Sequence, residues 1–248
     1  MSANPEFWHQ RYTQQVRWTL AARRYIFDKI GVRPSQRILE VGCGSGAVLE
    51  SLIKDGFSNA IGLDIDYAAL RLAISEIVTN ADALKVPFAR NSFDISLCHF
   101  LLLWVADPLK VLKEMARVTR PGGWVIALAE PDYGGRIDFP EELIQLGKAQ
   151  SQSLQDQGAD VFTGCKLKGL FTDCGLQNIQ SGIISAEWHR DFDQAEFDLE
   201  WSVLRKDLEG KMSSEELERY YKIDLEASRQ GRRVLFVPIF YAFGRVPE

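Results

Sequence analysis

Apolar positions along the chain follow two rhythms. Over residues 5–30, Trp8, Tyr12, Val16, Leu20, Phe27 and Ile30 lie along one stripe at helical spacing. Pro5 stands where a missing N–H costs little, and Gly31 stands just past the end. Ile38, Leu39 and Val41 form a short apolar run suited to a buried strand. Ala47, Val48, Leu49, Leu52 and Ile53 then recur at helical spacing. The alternation continues with a strand over 59–66, a helix over 68–78, a strand over 95–98, a helix over 109–118 and a strand over 124–129. Arg120, Pro121, Gly122 and Gly123 read as a turn before that last strand.

Farther along, helices are expected over 139–158 and 167–174, and a strand over 178–188. Phe197, Trp201, Leu204 and Leu208 then mark one helical face, and Ser213 with Glu216 forms a capping box ahead of Leu217, Tyr221 and Leu225. A final strand is expected over 233–243, where Pro238 signals an edge or a bulge. Strand and helix alternate through the first 130 residues, which argues for a parallel α/β sheet with right-handed crossovers. With a short third strand just ahead of Asp82, the two later strands bring the expected total to seven.

The stretch R-I-L-E-V-G-C-G-S-G, residues 37–46, sits at the first strand-to-helix junction. Glycines at 42, 44 and 46 let the backbone bend and let a ligand approach closely. The helix beyond offers unpaired N–H groups to a polar or anionic group. Gly42, Gly44 and Ala47 loosely satisfy a dinucleotide fingerprint. Glu40, two positions before the first glycine, suits a cationic ligand better than a pyrophosphate, which it would repel. Asp64 lies 22 residues beyond Gly42 at the end of the second strand, where a carboxylate can accept both hydroxyls of a ribose. Asp66 is read instead as the cap of the following helix.

Glu40, Gly42, Gly44 and Gly46 resemble the first motif of class I S-adenosylmethionine-dependent methyltransferases. Three further strings strengthen that likeness. They are A-D-A-x-x-x-P-F from Ala81 with Ser92-Phe93-Asp94 beyond it, F-D-I-S-L-C-H-F-L-L-L-W-V-A-D-P from Phe93, and L-K-E-M-A-R-V-T-R-P-G-G-W-V-I from Leu112. Together they resemble the methyltransferase type 11 group over residues 36–132. The family often carries a histidine where this chain has Trp104.

The resemblance implies a Rossmann-like, doubly wound, mostly parallel seven-stranded sheet with helices on both faces. It comes with an N-terminal helix over 5–30 and a helical insertion over 192–230, in a single domain spanning 1–248. It implies S-adenosylmethionine as the methyl donor. Glu40 would lie near its methionine end or order the glycine loop, and Gly42, Gly44 and Gly46 would let it approach. Asp64 would hold the ribose, Asp82 and Ala83 would lie against the adenine, the Cys98 carbonyl would lie near the methionine part, and Ile65 would be a further cofactor contact. The N-terminal helix would pack on the sheet or close over the donor; in the second case Arg11, Tyr12, Gln15 and Trp18 are the candidate contacts, with core packing the preferred role for Tyr12 and Trp18. His99, Glu130, Asp132, Tyr133 and Trp201 are the candidates for binding the methyl acceptor, and the insertion is expected to cover the strand ends as part of a lid. No general base and no metal site is assigned.

Composition narrows the partners. A net charge of −5 over 248 residues does not advertise a nucleic-acid surface. The Asn-Pro-Pro-Tyr-type motif of amino-group DNA methyltransferases is absent after the fourth strand, where Cys98-His99-Phe100 stands. A small-molecule acceptor is therefore expected. Trp188, Phe192, Phe197, Trp201, Tyr220 and Tyr221 could line its pocket, although aromatic stripes at helical spacing usually build cores. Cys43, Cys98, Cys165 and Cys174 form no C-x-x-C pair, which favours a reducing, cytoplasmic location. No signal pattern and no apolar run of membrane-spanning length is read. Two rivals remain. An NAD-dependent oxidoreductase would explain the glycines and Asp64 but not Glu40, the Asp82 segment or R-P-G-G. A protein that binds the cofactor without turnover would need no difference in the first half of the chain.

Overall fold

The computed structural model describes residues 5–73, 77–184 and 192–248. The elements run α1 (Pro5–Ile30), β1 (Ile38–Val41), α2 (Ala47–Lys54), β2 (Ala60–Asp64), α3 (Tyr67–Leu70), β3 (Val78–Asn80), β4 (Phe93–Cys98), α4 (Pro108–Val118), β5 (Thr119–Pro131), β6 (Ile137–Phe139), α5 (Ile144–Asp156), α6 (Thr163–Asp173), β7 (Gln177–Ile184), α7 (Gln194–Asp207), α8 (Ser214–Arg229), β8 (Val234–Phe236) and β9 (Ile239–Arg245). The chain divides into two compact units. One comprises residues 1–130, 163–184 and 240–248, and the other 131–162 and 185–239.

The first unit is built on the expected seven-stranded sheet, in the order β3-β2-β1-β4-β5-β9-β7. β1 pairs in parallel with both β2 and β4, β2 with β3, and β4 with β5. Side-chain alternation sorts its strands into two apolar layers. Leu39, Val41, Cys98, Val125 and Ala127 pack with Val111, Leu112 and Met115 of α4 and with Leu167 and Phe171 of α6. Ile38, Ile95, Leu97, Ile126 and Leu128 pack with Val16, Ile26 and Phe27 of α1 and with Val48, Leu49 and Leu52 of α2. Helices therefore cover both faces. Among the described residues, no helix is long and apolar enough to cross a membrane.

Several elements depart from the sequence reading. The helix expected over 68–78 closes after one turn at Leu70, and Val78 already belongs to β3; Ile74 falls outside the described residues. Asp66 caps that turn as expected, its Oδ1 accepting from Ala68 N and Ala69 N. Residues 120–123 do not precede β5 but are looped out within it. Phe93 of β4 faces Thr119 while Ile95 faces Trp124, and the looped segment exchanges backbone hydrogen bonds with Val246. The final strand is broken: β8 leaves to pair antiparallel with β6, and only β9 joins the large sheet. Pro238, which cannot donate to a ladder, stands between them. The buried stripe of α1 also runs differently, through Gln14, Val16, Thr19, Arg23, Ile26 and Phe27.

The second unit contains the segment expected as an insertion over 192–230 together with residues 131–162 and the rest of 185–239. Its core joins Leu143, Leu146, Trp201, Leu208, Leu217 and Tyr220. α8 begins with the expected capping box of Ser213 and Glu216. The strand expected over 178–188 is seen as β7 to Ile184; Trp188 lies outside the described residues.

Candidate ligand site at the carboxyl ends of β1 and β4

Chain direction across the sheet reverses between β1 and β4, because the chain steps from β1 to β2 and β3 on one side and from β4 to β5 on the other. Ligands of open α/β sheets bind in the crevice outside the carboxyl ends of the strands at such a point. Val41 and Cys98 are register partners at these ends. The glycine loop thus follows one and His99 follows the other.

The loop needs its glycines for backbone reasons as well as for space. Gly42 has φ +76°, and a Cβ there would fall 2.7 Å from Leu101 Cδ1. Gly44 has φ +52°, and a Cβ there would fall 3.0 Å from the Tyr12 ring. Side chains are disfavoured at both. Gly46 is the left-handed N-cap of α2 and offers no side-chain cap.

Glu40 supplies what Gly46 lacks. It points to the same sheet face as Ile38, is 1% exposed, and accepts a hydrogen bond from the backbone of Leu49 in the first turn of α2. Its second oxygen, Oε2, is buried with no partner among the described residues. Burial, then the neighbouring charge of Asp64, push its carboxyl up to about 8, with Arg23 opposing. An unpartnered buried carboxylate oxygen is costly, and a positively charged or donor-bearing ligand would relieve it.

Asp64 ends β2 half-buried. Its Oδ2 accepts from Gly44 N at 2.7 Å and its Oδ1 from Asp66 N at 2.8 Å. Desolvation raises its pKa against those bonds. Each carboxylate oxygen retains lone-pair capacity for a ligand hydroxyl. The carboxylate therefore braces the glycine loop from the next strand. Ile65 and Tyr67 beside it are 71% and 67% exposed, an apolar surface at a strand end. Asp82 Oδ1 accepts from Leu84 N, forming a local turn, and Ala83 is buried next to it. The Tyr12 ring over Gly44 places α1 against the loop. Burial, with Asp64 and Asp66 nearby, drives its hydroxyl up to about 12. Arg11 instead stacks on Trp18 and bonds Gln14.

The structure gives three of the acceptor candidates defined local roles. Glu130 is fully buried and accepts from the backbone N–H groups of Leu101, Leu102 and Leu103, so it anchors the 3-10 turn after β4. Burial pushes its carboxyl up to about 7, against those bonds. Asp132 caps the Tyr133–Gly135 turn through Gly134 N and belongs with Tyr133 to the second unit. Trp201 is 2% exposed, and its indole Nε1 donates to Asp224 Oδ2 at 2.9 Å in the core of that unit. His99 stays in the first unit at the end of β4, with Nε2 2.8 Å from Thr19 Oγ1. Sequence reading did not single out Thr19 or Arg23. Both are polar residues on the buried stripe of a helix. Arg23 is held by Ser51 at 2.7 Å and Asp55 at 2.8 Å.

Comparison with known proteins adds a family and a fold. A family profile described as methyltransferase domain matches residues 39–127. A demethylmenaquinone methyltransferase of Bacillus licheniformis is 32% identical over 191 residues, covering 68% of this chain and 81% of that protein. The corresponding enzyme of Renibacterium salmoninarum is 29% identical over 209 residues, covering 75% and 84%. Among solved structures, the methyltransferase in complex with the Haloferax volcanii Trm112 activator aligns over 100% of both chains with a TM-score of 0.63. At 18% identity that likeness shows the fold alone.

Proposed function

This chain belongs to the class I S-adenosylmethionine-dependent methyltransferases, and on that footing we propose that its acceptor is demethylmenaquinone or a closely similar small molecule. Methyl transfer from S-adenosylmethionine to a small molecule follows from the family. The choice of acceptor is carried by one observation: the likeness to demethylmenaquinone methyltransferases extends over 191 residues, far outside the 39–127 segment. The NAD-dependent reading is set aside, because it accounts for neither that likeness nor Glu40.

The residues fit the methyl donor. The orphaned oxygen of Glu40 belongs to a buried carboxyl that a cationic ligand would draw into its charged form, and the glycines leave a cradle that a Cβ would fill. In this reading Glu40 and Gly42, Gly44 and Gly46 hold the methionine end. Asp64 holds the ribose hydroxyls, Asp82 and Ala83 lie against the adenine, and Ile65 is a further contact to the donor. The Cys98 carbonyl faces the methionine part. When bound, the donor supplies a methyl group already activated on a sulfonium. The protein's own work is to hold the two substrates in line and to exclude water. For a hydroxyl-bearing acceptor it must also take up the proton of the group that gives electron density to the incoming methyl.

The test is calorimetric titration with S-adenosylmethionine, with NAD as the control, followed by transfer of labelled methyl to reduced demethylmenaquinone. Saturable binding of the first titrant and labelled product are expected. Binding without transfer to this acceptor would refute the acceptor assignment, and binding of NAD alone would refute the donor site.

A further inference from the structure

Thr19 lies on the buried face of α1, and its hydroxyl has one hydrogen to give. That hydrogen has a carbonyl close by: Oγ1 is 3.0 Å from Gln15 O, the usual i−4 contact of a helical threonine. Oγ1 is also 2.8 Å from His99 Nε2. With the hydroxyl hydrogen on Gln15 O, the histidine must be the donor in the second contact. That assignment makes the imidazole the Nε2–H tautomer, with the lone pair on Nδ1. Nδ1 has no protein partner among the described residues. His99 is half-buried at the end of β4, one residue beyond Cys98, which pairs with the residue before Gly42. Desolvation, then the Arg23 guanidinium, hold the ring well below the ordinary histidine range, at about 3, so it is neutral at working pH.

We propose that His99 reads the methyl acceptor: Thr19 fixes its tautomer, and Nδ1 accepts a hydrogen bond from an O–H or N–H of the acceptor. A neutral ring with only a lone pair to offer selects a donor-bearing group and gives nothing to a phosphate or carboxylate. This rests on the small-molecule acceptor reading and deepens it, since the reduced form of demethylmenaquinone carries hydroxyls. Thr19 is the positioning residue.

Two isosteric replacements separate the two ring nitrogens. His99→Gln can keep a donor to Thr19 and loses the Nδ1 acceptor. His99→Asn can place its carbonyl near the Nδ1 position and loses the clasp. The expected result is a drop in kcat/KM for reduced demethylmenaquinone of about tenfold in His99→Gln, the size of one lost hydrogen bond, with a smaller drop in His99→Asn. The reverse order would make His99 a clasp for α1 and overturn the proposal. Nitrogen-15 NMR of the histidine rings in the S-adenosylmethionine-bound wild type gives a readout independent of the acceptor. A neutral Nε2–H ring throughout pH 5.5–8.5, lost as a single tautomer in Thr19→Val, is expected. An Nδ1–H ring or an imidazolium in that range overturns the inference. Absence of wild-type transfer would instead count against demethylmenaquinone, and the tautomer would still be decided in the same sample.

Discussion

The two units handle buried charge in opposite ways. In the first, Glu40, Asp64 and Glu130 line the strand ends, and among the described residues no cation is bonded to any of them. Their partners among the described residues are backbone N–H groups and, for Glu130, the Cys98 thiol as well, and one Glu40 oxygen has none. In the second unit, Asp138 bonds Arg136 at 2.6 Å and Arg233 at 2.8 Å, and Arg233 continues to Asp224 at 2.7 Å. Asp224 takes the Trp201 indole, while Gln150 links Arg136 to Asp207. A closed network of this kind ties β6, α5, α7, α8 and the approach to β8 together. Buried groups whose hydrogen bonds are complete have no capacity left for a ligand. Buried carboxyls with no bonded cation are raised in pKa by desolvation, against the backbone N–H groups that hold them. The contrast separates acids closed by arginines from acids held without a cation.

Replacing Arg233 by Met attacks the closed network directly. Among the described residues it leaves Asp138 with Arg136 alone and Asp224 with the Trp201 indole alone, and destabilisation of about 3–5 kcal/mol is expected in denaturant unfolding. A loss under about 1 kcal/mol would show that the network is peripheral. On the other side of the comparison, Asp64→Ala is expected to weaken S-adenosylmethionine binding by about 1–3 kcal/mol, read by calorimetry. Unchanged affinity would refute the ribose assignment.

The pH dependence distinguishes the units again. The folded-state pKa of Glu40 is raised to about 8 from 4.5, so the folded protein holds a proton that the unfolded chain has released across that window. Its stabilising contribution is complete below pH 4.5 and is lost as pH rises toward 8. The corresponding slope is about −1.4 kcal/mol per pH unit for one proton. Glu40→Gln is expected to flatten that decline in a series of unfolding curves, and an unaltered slope would remove Glu40 as its source. The smallest effect is expected for Trp201→Phe, at about 1–2 kcal/mol of stability from the lost bond to Asp224. The acceptor KM should not move. A KM change without a stability change would return Trp201 to the acceptor site.

Much of the cofactor edge was legible along the chain. The acid-then-glycine pattern at 40–46, the acid ending β2 and the R-P-G-G string are local signals whose physics is local: turns, strand ends and close backbone approach. Legibility failed where a residue's role depends on a distant partner. Glu130 reads as a loop acid, yet its carboxylate is spent on three N–H groups across the turn after β4. Trp201 reads as a ligand-facing aromatic, yet Asp224, 23 residues away, buries its indole. Thr19 and Arg23 give no apolar signal at all, and only the approach of His99, Ser51 and Asp55 explains them.

The sequence by itself determined the alternation of strands and helices, the seven-stranded parallel architecture, the glycine cradle and the kind of ligand that cradle suits. Periodicity, turn chemistry and the spacing of acids express short-range constraints that hold in any context. Tertiary structure alone decided that the last strand splits at Pro238 between two sheets and that residues 120–123 loop out of β5. It also decided which buried acids are closed by arginines and which remain open to a ligand. Those outcomes depend on burial and on pairs brought together across the fold, where a lost or gained partner changes the cost of a charge by several kcal/mol.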